Sequence, residues 1–122
     1  MQLENKRPVR LSLTWVGQAV SGVLLIIILL LHMYFHHFAT GGLLNVNEII
    51  SHISRPAIFI LEILFIPVVT YHALLGIRAI LFDLNLSELA RRRVTLALTG
   101  LGLVTIIYGV ILAFLIRSQS LI

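Results

Sequence analysis

Three long apolar segments, almost free of charge, constrain this chain more than any other feature. Residues 15–38 and 94–116 contain no Asp, Glu, Lys or Arg, and residues 56–77 contain only Glu62. Each segment exceeds the ~20 residues that an α-helix needs to cross a hydrocarbon core of ~30 Å. Because backbone groups inside lipid must satisfy their own hydrogen bonds, all three are predicted to be helical. The predicted fold is an all-α membrane protein with transmembrane helices at about residues 12–38, 54–84 and 90–117.

The composition agrees with a chain that lies mostly in lipid. Hydrophobic residues make up 59% of the 122 residues and charged residues 11%, against about 45–50% and about 25% in soluble domains. A soluble domain of this size could not bury so much apolar surface. We therefore expect residues 1–122 to form a single transmembrane domain. The chain contains no cysteine, which excludes disulfides and cysteine-ligated clusters.

The basic residues predict the orientation in the membrane. Seven of the nine Lys and Arg residues precede the first segment or lie at or between the second and third: Lys6, Arg7, Arg10, Arg78, Arg91, Arg92 and Arg93. This bias predicts a cytoplasmic N-terminus and an external C-terminus. Basic residues that flank membrane spans set topology and contact lipid or partner proteins, so no nucleic-acid partner is expected.

The connecting segments carry helix-boundary signals. The external loop, residues 39–53, includes a candidate interfacial helix at residues 46–53. Pro56 falls in the first turn of the second helix, where a missing N–H costs little, and Pro67 is predicted to bend that helix. Ser87 is a candidate N-cap for the third helix.

Polar and ionisable side chains inside the spans are the functional candidates, because they are costly in lipid. They are Gln18, His32, His36, His37, Glu62, His72 and, near the end of its helix, Asp83. His72 lies well inside the second helix, with Gly76 and Asp83 on nearly the same helical face. It is either a metal or haem ligand or a neutral histidine that bonds to a neighbouring helix. The spacing alone leaves both open.

His32 is the corresponding candidate in the first helix, with Ser21 eleven residues earlier on nearly the same face. His36, His37 and His52 are interpreted as interfacial histidines. Helix lengths put His32 and His72 roughly 5–12 Å apart in depth, so a single iron is not expected to bind both. We expect two separate sites, each completed by another chain.

Glu62 allows three interpretations. It is a proton carrier, or lines an external pocket, or it pairs with Arg55 seven residues earlier. No phosphate-binding loop, zinc-protease motif or nucleophile elbow is present. Because three helices leave polar faces without partners, the chain is predicted to be one subunit of a larger complex.

His72, Gly76 and Asp83 follow one another at intervals that resemble the second helix of the membrane-anchor subunits of succinate dehydrogenase and fumarate reductase. In those proteins the histidine of this pattern is an axial ligand of haem b. Gln18, Ser21 and His32 are similar to the fourth helix of the single-chain, two-haem anchors, where a Gln-Arg-Ile-Ser-Gly run precedes a haem-ligating histidine at the same interval. On this resemblance the chain corresponds to the back half of such an anchor.

The resemblance implies a role for each of these residues. His72 would ligate a proximal haem b and His32 a distal one, with the opposite ligands supplied by a second membrane-anchor subunit. Arg78 would pair with a haem propionate, and Ser21 and Asp83 would border a proximal quinone site. The chain would pass electrons between an iron–sulfur subunit, itself bound to a flavoprotein subunit, and quinone in a bacterial or archaeal cytoplasmic membrane.

Two residues depart from the family pattern. Ala19 stands where the family often has Arg, and Leu84 stands where single-haem relatives have a quinone-binding Tyr. The Leu84 departure favours the two-haem type and a low-potential quinone such as menaquinone. The competing hypotheses are a single-haem version that uses only His72, a haem-free structural anchor, and a small proton-coupled transporter subunit that uses Glu62 and the histidines.

Overall fold

The computed structural model describes residues 12–119, and helices are the regular structure of this part of the chain. The helices are α1 (Leu13–Met33), continued by a π-helical segment (Tyr34–Phe38), α2 (Val46–Ile53), α3 (Pro56–Phe82) and α4 (Glu88–Ser118). Three of them are long and apolar enough to cross a membrane, namely Leu13–Phe38, Pro56–Phe82 and Glu88–Ser118. The three predicted helices agree with these bounds within two residues at each end.

Side-chain caps fix where two helices begin. Asn45 accepts a hydrogen bond from the Glu48 backbone N–H at 2.9 Å, and its own N–H donates to the Glu48 carboxylate at 2.8 Å. This reciprocal pair satisfies two backbone donors that the first turn of α2 would otherwise leave unpaired. Ser87 caps α4, as its sequence predicted, by accepting from the Ala90 N–H at 3.3 Å.

The central element is α3, which packs antiparallel against α1 on one side and α4 on the other. Against α1, Ser21 lies opposite His72 and His32 lies opposite Glu62. Residue numbers increase along α1 while those of the facing residues on α3 decrease, which defines a regular antiparallel register. The interface between α1 and α3 therefore holds most of the polar residues of the spans.

Glycines bring α4 close to α3. A Cβ atom at the buried Gly102 would lie 2.6 Å from Leu74 Cδ1, and one at Gly109 would lie 3.0 Å from Ile66 Cγ2. Small residues at such crossings let helices in lipid approach closely, where van der Waals packing supplies the attraction. The α3–α4 contact is thus closely packed and mainly apolar.

Few apolar side chains are buried within this chain. Among the described residues, the buried apolar side chains are Ile58, Phe59, Leu61 and Ala113. Large apolar side chains along α1 remain exposed, such as Trp15 and Leu30, as do Val104 and Leu115 of α4. A layer of three helices with so little core of its own offers its outer faces to lipid and to other membrane subunits.

Candidate functional site

Two polar groups of residues lie between α1 and α3. We name them the serine–histidine pair, Ser21 with His72, and the histidine–glutamate cluster, His32 and His36 with Glu62. Both join residues that sequence analysis singled out separately on different helices. The antiparallel register of α1 and α3 brings them together.

In the serine–histidine pair, the hydrogen bonds fix the ring of His72. His72 Nδ1 lies 3.1 Å from Ser21 Oγ, which donates its hydrogen to the Gln18 carbonyl oxygen at 3.1 Å. Because the hydroxyl has only one hydrogen, its oxygen accepts from the Nδ1–H of His72. The Nε2 atom then carries the lone pair, and among residues 12–119 it has no hydrogen-bond partner. An imidazole held at one nitrogen with the other unengaged is typical of a metal ligand.

Glycines allow close contacts around the serine–histidine pair. A Cβ atom at Gly22 would lie 3.1 Å from His72 Cε1, and one at Gly76 would lie 3.5 Å from Gln18 Nε2. The Oε1 atom of Gln18 is buried and has no hydrogen-bond partner in the described part of the chain. This region therefore has an unsatisfied acceptor, which suits contact with a further ligand or chain.

The histidine–glutamate cluster converges on one carboxylate oxygen. Glu62 Oε1 lies 3.0 Å from His32 Nδ1 and 2.7 Å from His36 Nε2. The His32 ring also stacks on Phe65, with the ring centroids 4.9 Å apart. One ligand atom from each of the three residues lies within 4.8 Å of the others, close enough to hold a metal ion. A carboxylate on Nδ1 likewise orients His32 to offer Nε2 to a metal.

His52 extends the cluster outside the membrane spans. Its side chain is only 6% exposed, and its ring centroid lies 4.9 Å from that of His36. Burial lowers the pKa of His52, and the neighbouring His36 and Arg55 lower it further, whereas a hydrogen bond with the Phe35 backbone and the Glu62 carboxylate act in the opposite direction. The Nε2 atom of His52 has no hydrogen-bond partner within residues 12–119. The surroundings of His52 thus favour its neutral form.

These contacts correct two interpretations made from the sequence. His36 was interpreted as a histidine of the membrane–water interface without a specific partner, but it bonds Glu62. The sequence contained a signal for this contact. His36 follows His32 by four residues, which puts both side chains on one helical face. Pairing of Glu62 with Arg55 is also wrong, since no ion pair joins them in the described residues and the carboxylate bonds two histidines instead. His52 is buried and His37 is exposed.

The serine–histidine pair and the histidine–glutamate cluster lie at different depths. On α1, eleven residues separate Ser21 from His32, and on α3, ten residues separate Glu62 from His72. At 1.5 Å per residue the two sites are roughly 15–16 Å apart along the helices. This separation exceeds the roughly 5–12 Å expected from the sequence, and it keeps His32 and His72 from sharing one metal ion.

Arg78 and Asp83 lie apart from the serine–histidine pair. Arg78 faces α4, where its Nε lies 3.4 Å from Thr95 Oγ1. Asp83 is exposed at the C-terminal cap of α3, eleven residues and roughly 16 Å beyond His72, whereas Ser21 is buried beside the His72 ring. Within residues 12–119 no hydrogen bond or ion pair joins Arg78 to His72 or Asp83 to Ser21, so the roles that the resemblance implied for Arg78 and Asp83 stay predictions.

Comparison with known proteins gives a family for this arrangement. A family model described as succinate dehydrogenase/fumarate reductase transmembrane subunit matches residues 7–112. The chain is 34% identical over 110 residues to a succinate dehydrogenase hydrophobic membrane anchor subunit of Thermoplasma acidophilum, with 89% of each chain covered. It is 31% identical over 115 residues to the subunit of the same name from Archaeoglobus fulgidus, covering 93% of this chain and 97% of that protein. No solved structure gives a significant match.

Proposed function

The chain belongs to the succinate dehydrogenase/fumarate reductase transmembrane subunit family, and from this premise we propose that it is a haem-b-binding membrane anchor of succinate:quinone oxidoreductase or fumarate reductase. In this role it passes electrons between an iron–sulfur subunit and quinone in the membrane. The observation that carries the proposal is the His72 imidazole, which is held through Nδ1 by Ser21 while Nε2 is left without a partner among the described residues.

His72 would hold the proximal haem b. Its Nδ1–H donates to Ser21 Oγ, which orients the ring and makes Nε2 a better donor to a metal. Gly22 keeps side-chain atoms away from the ring edge. A second anchor subunit would supply a further ligand, because the described part of the chain has no further histidine at this depth.

His32 would hold the distal haem b. Glu62 accepts from His32 Nδ1 as Ser21 accepts from His72, so both histidines offer Nε2. Glu62 is charged when ionised, so its hydrogen bond is the stronger of the two. The two histidines therefore differ in the group that accepts their Nδ1–H, which is Ser21 for His72 and Glu62 for His32. This difference would give the two haems different reduction potentials.

The haem groups, when bound, supply one-electron transfer, and the protein holds them at chosen depths. Roughly 15–16 Å between the two ligands covers about half of a ~30 Å hydrocarbon core. We propose that quinone binds near the end of α3 that carries Asp83, beside the iron–sulfur subunit, and that a low-potential quinone such as menaquinone is used.

Haem counting on the purified complex tests the proposal. The pyridine haemochrome assay should give two haems b per anchor pair, and His72→Ala and His32→Ala should each remove one. His37→Ala is the matched control, since His37 is exposed on the same segment, and it should leave both haems. Full haem content in His72→Ala would overturn the role proposed for His72, and absence of haem b from the unmodified complex would favour a haem-free structural anchor. One haem in the unmodified complex, lost only with His72, would leave His32 without its proposed role.

A further inference from the structure

A groove between α3 and α4, which Thr14 of α1 also lines, contains no residue of the serine–histidine pair or of the histidine–glutamate cluster. It has a volume of about 450 Å³. Its floor and walls are mostly apolar and include Leu74, Leu98, Gly102, Leu103 and Ile106. One end is polar, where Arg78 and Thr95 also line a second, adjoining cavity together with Arg91 and Arg92. The two cavities form a continuous path from a cationic end to an apolar interior.

The length of the groove matches one leaflet of a bilayer. On α4 it runs from Thr95 to Ile106, which is eleven residues or roughly 16 Å. Half of a ~30 Å hydrocarbon core is ~15 Å. A groove that starts at the membrane surface and ends near the midplane has the dimensions of a lipid acyl chain.

Two arginines at the polar end surround one aromatic ring. The guanidinium carbon of Arg78 lies 4.4 Å from the centroid of Phe82, and that of Arg91 lies 5.2 Å from it. Cation–π contacts hold each group in position. They also hold two positive charges near each other, which repel unless an anion lies between them.

The chain leaves these two charges without a carboxylate. Arg78 donates through Nε to Thr95 Oγ1 at 3.4 Å, and Arg91 donates through Nε to the Leu86 carbonyl oxygen at 3.2 Å. Within residues 12–119 neither arginine forms an ion pair, and their Nη atoms make no hydrogen bond. The terminal N–H groups of two anchored guanidinium groups are thus available to one bidentate acceptor such as a phosphate.

Glu88 does not supply the missing anion. It lines the same cavity, but its carboxylate lies 3.8 Å from Arg92 in an exposed pair of residues four apart on α4. The end of the groove keeps a positive charge after this pairing. Basic pockets between transmembrane helices on the cytoplasmic side are typical sites for anionic lipid headgroups, and the charge bias predicts that this end is cytoplasmic.

We propose that this groove binds an anionic phospholipid, with the phosphate on Arg78 and Arg91 and one acyl chain along α4 towards Ile106. A free phosphate would leave the apolar part of the groove unfilled, and a protein segment would need no cationic end. The lipid would join α3 to α4 at the membrane surface, whereas Gly102 and Gly109 bring the two helices close deeper in the bilayer.

Lipid analysis of the purified complex tests this site. The complex is equilibrated in micelles that contain equal amounts of phosphatidylglycerol and phosphatidylcholine, washed, and analysed by native mass spectrometry for retained lipid. The unmodified complex should retain phosphatidylglycerol in preference. Arg78→Gln with Arg91→Gln should weaken retention on the order of 30-fold, at about fivefold for each arginine. Arg93→Gln is the matched control, because Arg93 is exposed and does not line the cavity.

The following results would contradict the proposed lipid site. Equal retention in the double variant and in Arg93→Gln, or equal retention of both lipids, would overturn it. Loss of haem with unchanged lipid in Arg78→Gln would assign Arg78 to a haem propionate. A cross-link from Leu98 to another subunit would show that protein covers the groove.

A pair of groove variants separates lipid from phosphate and does not depend on the arginines. Thr99→Phe places a ring in the groove, whereas Thr105→Phe places the same ring on an exposed part of α4 that does not line it. Thr99→Phe should reduce retained phosphatidylglycerol and Thr105→Phe should not. Unchanged retention in Thr99→Phe would mean that the arginines bind a headgroup or free phosphate without the groove, and the proposed site would be wrong.

Discussion

Ser21 Oγ lies 3.1 Å from His72 Nδ1 and donates its own hydrogen to the Gln18 carbonyl oxygen at 3.1 Å. The serine therefore acts as an acceptor for the histidine, which fixes the tautomer of the ring and leaves the Nε2 lone pair for a ligand. The Ser21 side chain on α1 thus determines which nitrogen of His72 on α3 can bind a ligand.

Replacing Ser21 with Ala should change the potential of the proximal haem while retaining it. Without an acceptor at Nδ1, the ring donates less electron density through Nε2, so the reduction potential should rise. The hydrogen bond is worth about 1 kcal/mol, equivalent to about 40 mV in a one-electron couple. Potentiometric titration of the α band measures the shift, and Ser21→Thr, which keeps the hydroxyl, should remain near the unmodified value. Identical potentials in Ser21→Ala and the parent complex would exclude this role for Ser21.

Gly22 should be needed for the position of the His72 ring. A Cβ atom there would lie 3.1 Å from His72 Cε1, and the branches of a larger side chain would displace the ring. Gly22→Val should therefore remove the proximal haem in the haemochrome assay, whereas Gly100→Val should not, because nothing lies within 4 Å of a Cβ atom at Gly100. Equal haem content in both variants would mean that the ring has room to move without losing its ligand.

The helices could be predicted from the sequence because lipid imposes a simple rule on them. A span needs about 20 apolar residues and satisfies its own backbone, so length and charge suffice to find α1, α3 and α4. Even the short α2 was indicated at residues 46–53, where the structure has Val46–Ile53. Such features depend on residues close together in sequence.

The partners of the polar residues could be predicted only in part, because they depend on how α1 meets α3. Ser21 and His72 were each singled out, but their spacing within separate helices could not show that they meet. For Glu62, local spacing offered Arg55, seven residues earlier, as one alternative and could not reveal a histidine thirty residues away. In the structure, the antiparallel register decides these pairings.

Glu62 should affect the distal haem and leave the proximal one unchanged. Its Oε1 accepts from both His32 and His36, and Glu62→Gln removes the negative charge while keeping an oxygen acceptor. A neutral acceptor makes the weaker hydrogen bond, so the potential of the haem at His32 should rise by at least about 40 mV, corresponding to about 1 kcal/mol. A redox titration that resolves two steps measures this. Glu48→Gln, at the start of α2 and outside the spans, is the control with the same charge change. A shift of both steps together would point to a general effect of net charge.

His52 should make the complex less stable in acid. Burial lowers its pKa, as do His36 and Arg55, so the folded state binds a proton at His52 less readily than the unfolded chain does. The stabilisation is fully present above the unfolded pKa of about 6.5 and is lost progressively as the pH falls below it. Thermal unfolding of the purified complex at about pH 8 and about pH 5 measures the loss.

The variant His52→Phe isolates the contribution of His52 to this loss of stability in acid. Phe keeps an aromatic ring but cannot bind a proton. The difference in melting temperature between the two pH values should become smaller in His52→Phe. It should remain unchanged in the control variant His37→Phe, because His37 is exposed. A pH dependence that is the same in His52→Phe and the parent complex would assign the acid sensitivity to other groups and would mean that the packing of α2 on the histidine–glutamate cluster tolerates a charged His52.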